Sequence, residues 1–149
     1  MSLNTNKIQI LKFKEKHIPS VISLFKTNNN RELSYERMDR LIIKYPALVV
    51  FRGNELVGFA YTNRFAPDIL ELYNIFISPE LRKKEIGSKL LIKLEEEAKK
   101  KYKGIILVNS LLYKESDINK KYATTFYLKN EYRMISETEF SKVFFKNLL

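Results

Sequence analysis

Seven residues, Arg82-Lys83-Lys84-Glu85-Ile86-Gly87-Ser88, stand between an apolar run ending at Ile77 and an amphipathic run that starts near Ile86. Such a junction can bind an anion. The first N–H groups of a helix have no internal acceptor and carry the positive end of its dipole, so a phosphate placed there meets directed donors. Arg82, Lys83, Lys84 and Lys89 add cationic side chains against Glu85. The same composition describes a solvated basic loop, and spacing alone leaves both readings open. A second basic run, Lys99-Lys100-Lys101-Tyr102-Lys103, sets a tyrosine among lysines as a stacking platform for nucleic acid would. Cations at a helix C-terminus also complement the helix dipole without any partner, which disfavours the nucleic-acid reading.

Other chemistries lack their residues. The chain has no cysteine, which excludes a disulfide framework, a thiolate nucleophile and Cys-ligated zinc. Its lone histidine, His17, precedes a proline-containing helix start and is read as a capping or surface residue outside the site; no metal is expected. Serine–histidine hydrolysis would need partners the sequence barely has.

At 149 residues, and roughly 100–200 residues per domain, one domain spanning 1–149 is expected. Apolar residues make up 45% and charged residues 30%, ordinary globular usage that excludes a disordered or fibrous chain. No apolar run approaches the roughly 18 residues that cross a bilayer, and Met1–Lys14 lacks a signal-peptide apolar stretch, so a cytoplasmic protein away from membranes is expected. The net charge of +10 attracts polyanions of some kind, a phosphate-rich cofactor among them.

The elements that must position the basic loop follow from periodicity. Lys7–Lys14 alternates as a half-buried strand. Pro19 in a first turn, with Val21, Leu24 and Phe25 behind it, opens a helix that the Asn28-Asn29-Asn30 run ends. Ser34 caps a second helix carrying Met38, Leu41 and Ile42, which Pro46 closes. Ala47–Arg52 and Glu55–Thr62 form a hairpin about Gly53-Asn54. Ile69–Ile77 is a strand, Ser78–Lys84 a polar loop, and Ile86, Leu90, Leu91, Leu94 and Ala98 the apolar stripe of a helix. The short strand Ile105–Val108 then implies a parallel crossover. A polar loop through Asn119, a helix Lys121–Lys129 and two strands, Tyr132–Glu137 and Phe140–Lys146, complete the chain.

Three stretches in this order resemble the GNAT superfamily of acyl-CoA-dependent N-acetyltransferases over nearly the whole chain. The family signature Gln/Arg-x-x-Gly-x-Gly/Ala reads here as Arg82-Lys83-Lys84-Glu85-Ile86-Gly87. Ala123-Thr124-Thr125-Phe126-Tyr127-Leu128-Lys129-Asn130-Glu131-Tyr132 is similar to the family's Ala-x-x-Phe-Tyr-x-Lys-x-Gly-Phe, and Val143–Leu148 resembles its closing strand. The resemblance implies an α/β (α+β) fold with a central mixed, mostly antiparallel sheet of about six to seven strands flanked by about four helices.

It also implies a site. Acetyl-CoA would be the co-substrate, with its pyrophosphate on Arg82, Lys83, Lys84 and the amides of Glu85, Ile86, Gly87 and Ser88, and its pantetheine arm along Ile75, Phe76 and Ile77. Tyr127 matches the tyrosine that donates a proton to the departing thiolate, and Glu71 the strand carboxylate that draws a proton from the amine. The family's asparagine before the alanine falls at Lys120 by direct count, with Asn119 one place early. Tyr61, Asn63, Tyr73 and Asn74 line the acceptor groove or are ordinary surface residues. The acceptor would be a small-molecule or protein amine, and a homodimer is compatible with the family. Glu85 and Glu131 stand where the family has glycine; a Cβ and a carboxylate at 85 are expected to weaken coenzyme A binding. That departure keeps a second reading open, a non-catalytic relative acting as an acyl-CoA sensor or interaction module.

Overall fold

The computed structural model describes residues 7–110 and 117–149, without the side chains of residues 83–84 and 117–121. Among the described residues seven strands are hydrogen-bonded neighbours in the order β1 (Ile8–Lys12), β2 (Ala47–Arg52), β3 (Glu55–Ala66), β4 (Ile69–Ile77), β5 (Gly104–Ser110), β7 (Ser141–Asn147), β6 (Arg133–Glu137), and four α-helices join them. Two groups of residues cluster as compact units.

The first unit takes residues 7–63 with Tyr73–Glu97. It begins with β1 (Ile8–Lys12), α1 (Ile18–Asn29) and α2 (Tyr35–Lys44), then β2 (Ala47–Arg52) and β3 (Glu55–Ala66). β1 pairs antiparallel with β2, and β2 with β3 across Gly53-Asn54, where Arg52 faces Glu55. Gly53 has φ 60°, the positive angle that a two-residue hairpin turn demands at its first central position. Ser34 caps α2 by accepting the Arg37 N–H at 3.2 Å, and α1 ends on Asn30 in the left-handed region. Phe13, Ile18, Val21, Phe25, Met38, Leu41 and Ile42 pack with Val49, Phe59, Tyr61 and Phe76 into one apolar core.

At the start of α1, His17 takes the capping role of the two that the sequence left open. His17 is buried, in edge contact with Phe51 at 5.5 Å, and its Nδ1 accepts the Lys14 N–H at 3.0 Å. It is an interior cap rather than a surface residue, and burial with Lys16 and Lys14 nearby holds its pKa below the usual value.

In the second unit, Arg64–Leu72 lies with residues 98–110 and 117–149. β4 (Ile69–Ile77) starts here and runs parallel to β5 (Gly104–Ser110), as the strand–helix–strand spacing predicts. β5 pairs antiparallel with β7 (Ser141–Asn147), and β7 with β6 (Arg133–Glu137). α4 (Asp117–Lys129) precedes β6 and starts earlier than periodicity indicated, because its first turn is polar. Leu70, Ile105, Leu107, Tyr132 and Phe144 are buried here. A Cβ at Gly104 would lie 2.5 Å from the Phe145 ring, which would have to shift to admit it. Among the described residues no helix is long and apolar enough to cross a membrane.

Candidate active site

The last residues of β4 and the turn after it belong to the first unit. Ser78 donates its N–H to the Val57 carbonyl at 2.8 Å, which keeps β3 on the end of β4. Gly58 allows that approach: a Cβ would lie 2.6 Å from Ile77 Cδ1 and 2.9 Å from the Phe76 carbonyl oxygen. Phe76 and Ile77 are buried and Ile75 half-buried. Where a polar loop was expected, Pro79–Lys84 forms a 3-10 helix with Pro79 in its first turn, where the missing N–H costs nothing.

Arg82 folds back from this turn. Its Nε donates to the Ile77 carbonyl at 2.9 Å and its guanidinium lies 5.0 Å from the Phe76 ring centroid. The side chain therefore fastens the turn to β4 in addition to placing positive charge there. The side chains of Lys83 and Lys84 lie outside the described residues.

Glu85 then turns the chain into α3 (Ile86–Ala98) with φ 60° and ψ 13°. This is the left-handed conformation that glycine adopts without cost, so the backbone keeps the path a glycine would give while an exposed carboxylate is carried outside it. Lys89 makes the first helical bond, to the Glu85 carbonyl at 3.1 Å. The amides of Ile86, Gly87 and Ser88 precede it, in the turn of a helix whose N–H groups point out of its start. At the positive end of the helix dipole, that donor set fits a pyrophosphate.

The second unit holds Glu71 and Tyr127. Glu71 is half-buried on β4 opposite Ile106 of β5, and burial raises its pKa above the ordinary carboxylate value. A carboxyl shifted upward is a stronger base when ionised. The β4–β5 register covers three residue pairs, from Ile69↔Gly104 to Glu71↔Ile106, whereas β5 continues against β7 as far as Ser110↔Ser141.

Tyr127 projects from the last turn of α4 into an aromatic group, with ring centroids 5.2 Å from Phe144, 5.3 Å from Phe126 and 6.0 Å from Tyr132. Its carbonyl accepts the Tyr132 N–H at 3.0 Å and the Leu128 carbonyl accepts the Glu131 N–H at 3.0 Å, a Schellman ending about Glu131 at φ 70°. Asn119 lies in the first turn of α4, and its side chain is outside the described residues.

The residues read as lining an acceptor groove are placed unequally. Tyr61 is 2% exposed and belongs to the core of the first unit; burial pushes its hydroxyl up to about 12. Tyr73 stacks on it with ring centroids 5.5 Å apart, and Asn74 hydrogen-bonds its hydroxyl. Arg37, which sequence reasoning did not single out, joins them from α2: its guanidinium donates to the Tyr73 hydroxyl. The available signal was the spacing of Arg37, Arg40 and Lys44, three and seven residues along one helix face.

Comparison with known proteins bears on the fold. Residues 44–134 match the family model of the acetyltransferase (GNAT) domain. The PaiA N-acetyltransferase of Thermoplasma acidophilum, solved in complex with coenzyme A, is 20% identical with a TM-score of 0.76, over 95% of this chain and 99% of that one. The ribosomal-protein-S18-alanine N-acetyltransferase of Escherichia coli is 15% identical with a TM-score of 0.77, over 95% and 94%. An aminoglycoside 6'-N-acetyltransferase complexed with coenzyme A is 18% identical with a TM-score of 0.73, over 95% and 97%. These likenesses are of fold. No match was found among curated protein sequences.

Proposed function

The chain belongs to the GNAT acetyltransferase family, and from that premise we propose that it is an N-acetyltransferase moving acetyl from acetyl-CoA to a primary amine by direct attack. The observation that carries this reading is the left-handed Glu85 immediately before the first turn of α3, a glycine-like path kept without glycine. Acetyl-CoA supplies the thioester.

Each residue then has a task its surroundings suit. The amides of Glu85, Ile86, Gly87 and Ser88, with Arg82, Lys83 and Lys84, take the pyrophosphate. The backbone of Ile75, Phe76 and Ile77 takes the pantetheine arm. Glu71 takes a proton from the ammonium, leaving a neutral nitrogen whose lone pair forms the new C–N bond. The C–S bond breaks with its electron pair on sulfur, the Tyr127 hydroxyl gives that sulfur a proton, and the second proton, which the nitrogen sheds as it becomes an amide, returns through solvent to the tyrosinate. Neither metal nor covalent enzyme intermediate enters this balance.

Calorimetric titration with acetyl-CoA tests the binding half, and thiol release with a panel of primary amines tests the transfer half. Saturable micromolar binding with amine-dependent thiol release is expected. Binding without turnover would make the protein an acyl-CoA sensor, and no binding would remove the reading. The raised Glu71 pKa predicts that the acid limb of kcat/KM lies above the ordinary carboxylate range and disappears in Glu71→Gln.

A further inference from the structure

β1 stands at one end of the strand order, paired with β2 alone. Its register fixes which backbone groups that pairing uses. Phe13 donates its N–H to the Ala47 carbonyl at 3.0 Å and Gly53 donates to the Lys7 carbonyl at 3.1 Å, so the odd-numbered residues from Lys7 to Phe13 turn their hydrogen-bonding groups toward β2. Ile8, Ile10 and Lys12 turn theirs to the open side, where among the described residues no strand lies. An independent contact agrees: Lys93 reaches from α3 and donates to the Ile10 carbonyl at 3.2 Å.

The same edge is densely cationic. Lys7, Lys12, Lys14, Lys16 and Lys93 are exposed, and among the described residues none of them has a carboxylate within ion-pair distance, although Arg52, Lys142 and Lys146 each do. Glu15, the one acidic residue between Lys7 and His17, already accepts the Tyr35 hydroxyl at 3.2 Å. Lysines on an edge strand oppose pairing with a second copy, which would set like charges against one another. They do the reverse for an acidic chain, whose carboxylates they attract while the free N–H and C=O groups supply a ladder. Leu11, 44% exposed on the face opposite to Ile10 and Lys12, offers an apolar residue of that chain a contact across the strands.

We propose that the open edge of β1 is a docking site for an acidic segment in extended conformation, which adds itself to the sheet beside β1 as a further strand. The N–H groups of Ile8, Ile10 and Lys12 donate to its carbonyls. Lys93 passes from the Ile10 carbonyl to a carboxylate as the segment's own N–H takes that carbonyl. The site uses backbone and charge of the first unit alone and shares no residue with those given to acetyl-CoA, so it stands or falls apart from the acetyltransferase reading.

The test uses the full chain labelled with ¹⁵N and four probes: a short acetylated peptide alternating glutamate with valine, the same peptide with its backbone N-methylated, its lysine-for-glutamate counterpart, and a single-stranded DNA oligonucleotide. The expected result is saturable binding of the first peptide that shifts the amides of Ile8, Ile10 and Lys12, weakens as salt is raised, and is absent with the lysine peptide. N-methylation keeps the charges and removes the ladder donors, and should weaken binding roughly tenfold or more. Lys12→Glu combined with Lys14→Glu, which alters exposed side chains and no backbone bond, should lose most of the affinity. No shift at these amides or unchanged affinity in the double variant would overturn the proposal. So would equal affinity of the N-methylated peptide or an equal shift with the oligonucleotide, either of which makes the edge a polyanion surface that reads charge without a strand.

Discussion

Tyr132 donates its N–H to the Tyr127 carbonyl at 3.0 Å across a left-handed Glu131, and the two rings meet edge-on with centroids 6.0 Å apart. The bond and the ring contact belong to one device, the hydrophobic pairing that accompanies a Schellman ending. The end of α4 therefore sets the position of Tyr127 through the left-handed turn at Glu131 and the Tyr132 ring.

Replacing Glu131 by glycine follows directly. A non-glycine residue in the left-handed region costs roughly 1–2 kcal/mol, and glycine returns roughly 0.5–1 kcal/mol of this through the flexibility it adds to the unfolded chain. The exposed pair with Lys146 at 3.9 Å contributes little. Glu131→Gly should raise stability by a few tenths to about 1 kcal/mol, read as a higher urea midpoint at unchanged slope. A lower midpoint would show that the positive φ carries no strain.

Gly58 is crowded by backbone as well as side chain, with the Phe76 carbonyl oxygen 2.9 Å from where a Cβ would stand. The oxygen cannot swing away as a side chain can, so Gly58→Ala must push β4 off β3 at Phe76–Ile77. Overpacking of this kind costs about 1–3 kcal/mol. Acetyl-CoA affinity should fall with stability, since the displaced residues are those assigned to the pantetheine arm. Calorimetry well below the melting point separates lost affinity from unfolding, and unchanged affinity would remove Phe76–Ile77 from the arm.

His17 gives the protein an acid-sensitive joint. Its Nδ1 must stay unprotonated to accept the Lys14 N–H, and burial with Lys16 and Lys14 nearby holds its folded pKa below the ordinary imidazole value of 6.5. The unfolded state then binds the proton more readily, so this contribution is complete above pH 6.5 and declines as pH falls through the folded value. Urea midpoints from pH 7.5 down to 5 should decline more steeply in the native chain than in His17→Asn, which offers an acceptor that does not titrate. Parallel slopes would place the titration elsewhere.

The fold was largely legible because its signals are local. The Gly53-Asn54 turn, the Ser34 cap, Pro19 and the stripe from Ile86 to Ala98 each fix an element from within a few residues. What escaped depended on tertiary context. The burial of His17 requires Phe13 and Phe51, which the chain supplies from β2 and the end of β1. The 3-10 helix Pro79–Lys84 has no apolar period, and its residues are polar enough to pass for a loop. Glu85 and Glu131 were visible as departures from glycine, but only coordinates show that both keep the backbone glycine would have. The pairing of Arg37 with Tyr73 joins residues 36 positions apart and left no trace in either neighbourhood.

Tyr127→Phe is the sharpest test of the proton donor, because it removes the hydroxyl and keeps the ring. Contacts to Phe126, Tyr132 and Phe144 are made by the ring, which phenylalanine retains, and the Schellman bonds use only backbone. The variant should fold with nearly native stability, whereas Tyr127→Ala would lose about 3–5 kcal/mol as the ring leaves a cavity. If the hydroxyl protonates the departing sulfur, its loss should lower kcat by roughly 10²–10⁴-fold, the usual contribution of general acid catalysis. Acetyl-CoA affinity should be unchanged, since the interaction arises only as the C–S bond breaks. A normal kcat would return Tyr127 to a packing role, and a rise in KM at constant kcat would make the hydroxyl a binding group.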